Sequence, residues 1–173
     1  MSLLLAMMLA ATPVSEPTVK VEADGSRTMT HKLVVKAGQA ETWAAIASEA
    51  GWESWAVPVA WTSATDSDLL ETSYDPAAAP GNPNNITQRF LVRVPGRMLA
   101  FRTVKAPQGF PHFDTYAKVT SVFELEPMDE KRTKVTLTGV GYAPGAAGDA
   151  LLGFFKNGNA TALEALGRSL GDD

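Results

Sequence analysis

The sequence predicts an α+β fold, an antiparallel sheet of about six to seven strands covered on one face by a long C-terminal helix. Three observations carry this. Between Val59 and Tyr142, short apolar or alternating segments are divided by turn-rich stretches. No helical pattern lies among them to serve as a crossover, so successive strands must pair antiparallel. From Asp149 to Leu170, the residues Leu151, Phe155, Ala162, Leu166 and Leu170 recur at helical spacing, and Phe154 and Leu163 widen the stripe. So broad a stripe needs a large partner, and the sheet is the surface available. Two short helices should follow the first strand: the Ala-rich Gln39 to Ala50, with Trp43, Ile46 and Ala47 at helical spacing, and a further turn at Trp52-Glu53-Ser54-Trp55.

Each element has its own signal. Residues Pro13 to Gly25 are polar and contain Pro13, Pro17 and Gly25, so residues 12–28 read as a linker and 29–171 as one domain. Thr30 to Lys36 is the first strand, stopped by Gly38. Val59 to Ala64 and Leu69 to Tyr74 are short strands around the turn Thr65 to Asp68. Asp75 to Asn85, dense in Pro, Gly and Asn, is a loop. Ile86 to Val94 and Met98 to Lys105 flank Pro95-Gly96, the clearest hairpin signal in the chain. After a second loop, Ala106 to Asp114, the stretch Tyr116 to Glu126 alternates strictly, with Val119, Ser121, Phe123 and Leu125 on one face. Thr133 to Tyr142 is the last strand, and Pro144-Gly145 divides it from the helix.

Composition narrows the function. With 173 residues, 45 % apolar and 20 % charged, the chain can bury a sizeable core. A net charge of -4 gives solubility but no basic face for phosphates, so no nucleic-acid partner is expected. The absence of cysteine excludes disulfides, thiolate nucleophiles and Cys-based zinc sites. With two histidines besides, no metal and no cofactor are expected. Walker, GxGxxG and GxSxG motifs are absent. Asn85-Ile-Thr and Asn159-Ala-Thr match the glycosylation acceptor pattern and read as chance matches. Residues Ser2 to Ala11 form an uncharged apolar run, too short to span a bilayer but the length of a signal-peptide core, with Ala10 and Ala11 at its end. Residues 1–11 are therefore expected to be a signal peptide, although it lacks a basic residue ahead of the run. The domain is expected in the periplasm or outside a bacterial cell, without a stable membrane span.

The residues also resemble a known family. Leu33 to Ala47, L-V-V-K-A-G-Q-A-E-T-W-A-A-I-A, looks like the strand-helix opening of the START-like, or SRPBCC, superfamily, with Trp43 and Ile46 at its aromatic and apolar positions. Trp55 stands where many members carry Trp. The hairpin Arg89 to Arg102, the strand Lys131 to Thr138 and the helix end Ala162 to Leu170 are similar to its later motifs, with Lys131 and Arg132 where glycine is usual. The resemblance is closest to the Hsp90-activator C-terminal-domain-like and polyketide-cyclase-like groups. It implies a helix-grip fold, a curved sheet wrapped on the last helix around a pocket for apolar ligands. It implies no single activity, because members bind apolar molecules, cyclise polyketides or act as cochaperones.

On this fold the inner faces of the sheet and last helix nominate Phe90, Val92, Phe101, Val119, Phe123, Leu137, Leu151 and Phe155 as pocket-lining residues. Trp52, Trp55 and Trp61 either pack the short helices on the sheet rim or form an aromatic wall at the pocket mouth. Gly158, between Asn157 and Asn159 inside the last helix, either opens room for a ligand or lets helix and sheet approach closely. The acid/base candidates are His112, Asp114 and Tyr116, grouped on the second loop and the strand after it. Arg89 and Arg102 should face solvent, since alternation sets them opposite Phe90 and Phe101. The first expectation is non-catalytic binding of a small apolar molecule, lipid-like or aromatic. The alternatives are a cyclase- or dehydratase-like enzyme on an apolar substrate and a cochaperone-like interaction module.

Overall fold

The computed structural model describes residues 13–171; the expected signal peptide lies outside them. The strands are β1 (Thr18–Val21), β2 (Arg27–Val35), β3 (Val59–Thr62), β4 (Leu69–Ser73), β5 (Ile86–Val94), β6 (Met98–Lys105), β7 (Thr120–Asp129) and β8 (Arg132–Tyr142). The helices are α1 (Gln39–Ala47), α2 (Glu49–Trp55), α3 (Phe113–Tyr116) and α4 (Ala146–Ser169). All eight strands form one antiparallel sheet in the order β1-β2-β8-β7-β6-β5-β4-β3. The sheet curves around α4, giving the two-layer α+β architecture with a slightly higher strand count than expected.

The additional strand is β1, inside the stretch that reads as linker. All four of its residues are exposed, so it has no buried face to produce a periodic signal. It is joined to β2 by a turn in which Gly25 takes a positive φ of 81° and the Glu22 amide donates to the Ser26 carbonyl. The expected break between Gln39 to Ala50 and the turn at Trp52, at Gly51, does not fall there. Ser48 caps α2 instead, its hydroxyl accepting from the Gly51 amide, so the predicted break moves forward to Ser48. Gly51 is required there because a Cβ would lie 2.7 Å from the Ala45 carbonyl carbon.

The main core joins Leu33, Val35 and Ile46 to Leu99, Phe123, Val135, Leu163 and Leu166, uniting sheet, α1 and α4. A smaller cluster of Met29, Val119, Tyr142 and Leu151 closes the other end of α4. There Arg27 ties strand to helix, donating to the Asp149 carboxylate and the Ala143 carbonyl. Strand β5 carries a bulge at Leu91, since Phe90 opposes Phe101 and Val92 opposes Ala100. Beyond the bulge the alternation inverts. Arg93 falls on the side of Phe90, its guanidinium 4.4 Å above that ring, and Val92 turns outward.

Candidate functional site: an apolar cavity under the last helix

Between the concave face of the sheet and α4 lies a cavity of about 500 Å³. Its floor is Phe101, Ser121, Phe123 and Leu137, with Gln88, Ile86 and Thr72 at one side. Its roof is the α4 stretch from Phe154 to Ala165, and Trp52, Trp55 and Val57 make an end wall. Tyr74 and Tyr116 complete it.

The end wall is rigid for a local reason. The indole N–H of Trp52 donates to the Ile46 carbonyl at 2.8 Å, and that of Trp55 to the Ala45 carbonyl at 3.0 Å. Both bonds satisfy carbonyls at the end of α1, so α1 fixes the rings of α2. Trp52 meets Phe101 edge-on at 5.7 Å, and Trp55 meets Phe123 edge-on at 6.4 Å. On the opposite side Tyr116 stacks on Phe155 at 4.5 Å.

The polar groups in this wall are uncharged: Thr72, Gln88, Ser121, Asn159 and Thr161 beside the hydroxyls of Tyr74 and Tyr116. Across β5 and β6, Gln88 opposes Thr103, whose hydroxyl donates to the Gln88 carbonyl oxygen at 2.8 Å and lies 3.3 Å from the Tyr116 hydroxyl. Burial pushes the Tyr116 phenol above its ordinary value, with the Thr103 contact opposing. Among the described lining residues none is Asp, Glu, Lys, Arg or His. No group of three or more His, Asp or Glu side chains able to hold a metal occurs among the described residues, and none of their helices is long and apolar enough to cross a membrane.

Of the nominated residues, Trp52, Trp55, Phe101, Phe123, Leu137, Phe155 and Gly158 line this cavity together. Phe90 is buried behind it, edge-on to Phe101 at 6.2 Å. Val119 and Leu151 are buried in the smaller cluster, beyond the cavity end. Trp61 is half-buried on the edge strand β3, opposite Glu71. Val92 is the clear correction: the bulge turns it to the outer face, where it is 45 % exposed. The acid/base trio separates. His112 is exposed in the left-handed conformation ahead of α3, and Asp114 is exposed on that helix, while Tyr116 reaches the cavity. Tyr116 ends a helical turn rather than starting a strand, because its amide and that of Thr115 both bond to the His112 carbonyl. Arg102 is exposed and donates to Thr120; Arg89 is half-exposed and pairs with Asp66 at 3.1 Å. Asn85 of the first acceptor motif is fully buried.

Sequence reasoning missed Gln88, Thr103 and Tyr74. Gln88 was accessible to it, since alternation puts Gln88 on the face of Phe90 and Thr103 on that of Phe101. Tyr74 was accessible as well: it closes the predicted strand Leu69 to Tyr74, and alternation puts it on the face of Leu70 and Thr72. A larger groove of about 870 Å³ runs over the outer face of the sheet, but it is bordered by Lys32, Lys134, Arg97, Glu124 and Glu126. These charges make it an open, solvated shelf, and the aromatic cavity is the better candidate.

A curved sheet gripping one long helix over an aromatic cavity defines a class of small ligand-pocket domains. The family model described as polyketide cyclase / dehydrase and lipid transport matches residues 26–171, and the chain belongs to that family. A search of curated proteins finds no match. Among solved structures, the protein is similar to XoxI from Bacillus cereus, at 14 % identity and a TM-score of 0.64, covering 84 % of this chain and 96 % of that one. It is also similar to the Aha1 dimer from Colwellia psychrerythraea, at 14 % identity and a TM-score of 0.61, covering 83 % and 95 %. The Zhui aromatase/cyclase from Streptomyces sp. R1128 aligns at 18 % identity and a TM-score of 0.58, covering 83 % and 93 %. These likenesses support the fold.

Proposed function

We propose that the protein binds a small, uncharged apolar molecule in the cavity beneath α4 and carries out no chemistry on it. The observation that supports this reading is the lining itself, aromatic on three sides and without a charged side chain among the described residues. A flat apolar ligand there would replace water against Trp52, Trp55, Phe101 and Phe155, and burial of apolar area would supply its affinity at roughly 25 cal/mol per Å². General acid/base catalysis needs a group that titrates near the working pH. The titratable lining groups are Tyr74 and Tyr116, and burial moves Tyr116 further from neutrality. His112 is exposed and does not line the cavity.

The test is mass spectrometry of solvent extracts from the protein purified from its own host. One apolar compound near one per chain, lost in Ala162→Phe with the melting temperature kept, supports the reading. An extract without such a compound, together with turnover of an aromatic ketone that Tyr116→Phe abolishes, would move the assignment to an enzyme. We also infer export from the apolar run Ser2 to Ala11. N-terminal sequencing should then begin near Thr12, and a chain beginning at Met1 or Ser2 inside the cell refutes it.

A further inference from the structure

Gln88 in the cavity wall, with Thr103 beside it on β6, carries a second step, which rests on the reading of the cavity as an apolar binding site. A threonine hydroxyl has one proton, and the carbonyl oxygen of a glutamine side chain can only accept. The Thr103 proton therefore goes chiefly to Gln88, 2.8 Å away, with the Tyr116 oxygen as a longer second acceptor at 3.3 Å, so the Tyr116 proton stays free. This order fixes the Gln88 side chain. Its carbonyl oxygen is held inward against β6, and its amide N–H groups have no partner among the described residues. Gln88 is 8 % exposed and Thr103 4 %, and Gln88 lines the cavity, so its amide is set on a cavity wall with little other access. The Tyr116 oxygen, facing the same space, retains accepting capacity.

We propose that Gln88, oriented by Thr103 and flanked by Tyr116, is the recognition point for a neutral hydroxyl or carbonyl oxygen, so the cavity selects uncharged oxygenated compounds over their carboxylate analogues. A hydroxyl can accept from the Gln88 amide and donate to Tyr116, while a ketone can accept from the amide. A carboxylate would enter a site without a counter-ion. The nearest cations on β6 are engaged elsewhere, Lys105 with the Asn82 carbonyl at 2.8 Å and Arg102 with Thr120 at 2.8 Å. Desolvating an unpaired charge there is strongly unfavourable.

The experiment titrates the purified full chain with naphthalene, naphthol and naphthoate, read by quenching of Trp52 and Trp55. Naphthol should bind about tenfold more tightly than naphthalene, as one added hydrogen bond implies, and naphthoate more weakly than either. Gln88→Leu should remove the naphthol advantage and leave naphthalene affinity within about twofold. Thr103→Val, close in shape to the native residue, should reduce the same advantage and provides an independent test should Gln88→Leu not fold. Equal binding of naphthol and naphthalene, or a naphthol preference that survives both substitutions, overturns the assignment and leaves the apolar cavity standing. Failure of all three probes to bind overturns both.

Discussion

Two glycines in α4 should respond in opposite directions to the same substitution. A Cβ built at Gly158 meets only the Phe155 ring, at 3.9 Å, so Gly158→Ala places a methyl in free space on the cavity side. Glycine in a helix interior costs about 1 kcal/mol relative to alanine, and nothing packed against Gly158 offsets it. Gly158→Ala should therefore stabilise by about 1 kcal/mol, or roughly 2–4 °C in Tm for a chain of this size. Gly148, in the first turn of α4, is different. A Cβ there would collide with the Ala143 carbonyl, 2.7 Å from its carbon, and would come within 2.9 Å of the Arg27 guanidinium. That overlap strikes backbone and the bonds Arg27 makes to Ala143 and Asp149. Forced overpacking of this kind costs about 1–3 kcal/mol and outweighs the gain in helix propensity. Thermal unfolding followed by circular dichroism reads both variants on one scale. If Gly158→Ala destabilises, α4 approaches the sheet at that point and the open space has been misread. If Gly148→Ala stabilises, the Arg27 clamp is dispensable. The larger Gly158→Leu should keep the helix but project into the cavity, weakening naphthol binding by about tenfold or more while Tm holds.

His31 is fully buried beneath α4, its Nε2 bonded to the Lys156 carbonyl at 3.0 Å and its Nδ1 unpartnered among the described residues. Burial holds its pKa below the ordinary 6.5, opposed by the Lys156 carbonyl and by Glu16 and reinforced by the Lys156 charge. The unfolded chain thus takes up the proton first, so stability contributed above pH 6.5 is lost as pH falls through 6.5 toward the folded value. Melting curves between about pH 7.5 and pH 5 should show this decline, and His31→Asn should flatten it; an equal slope in both would refute it. Leu163→Ala, at a fully buried position, should cost about 2–5 kcal/mol in urea unfolding. Phe154→Ala, 61 % exposed, should change stability by less than about 0.5 kcal/mol. Glu71 holds the loop after β4, its carboxylate accepting from the Gly81 amide at 2.9 Å and the Asn85 side chain at 2.8 Å. Glu71→Ala should speed limited proteolysis within residues 75–85, and an unchanged cleavage rate would show that the loop is held by other contacts.

The hairpin Ile86–Val94 to Met98–Lys105 and the alternation of β7 and β8 were legible in the sequence, because each pair buries one face and the first turns at Pro95-Gly96. The stripe of α4 likewise had one possible partner. From those elements the sequence alone determined an antiparallel sheet against a C-terminal helix, with Phe101, Phe123, Leu137 and Phe155 on the faces between them. It could not determine β1, whose four exposed residues are placed by hydrogen bonds to β2. Nor could it foresee that one extra residue at Leu91 would invert the faces beyond Phe90 and send Val92 outward. Period-two patterning assumes an unbroken ladder, and a bulge breaks it without leaving a compositional mark. The same limit separated His112 from Tyr116. They stand four positions apart in the chain, yet one helical turn leaves His112 in solvent and seats Tyr116 on Phe155, facing Gln88 and Thr103. Local patterning decides which face of an element is apolar. Which polar groups meet inside the cavity depends on long-range packing, and only the tertiary structure decided that.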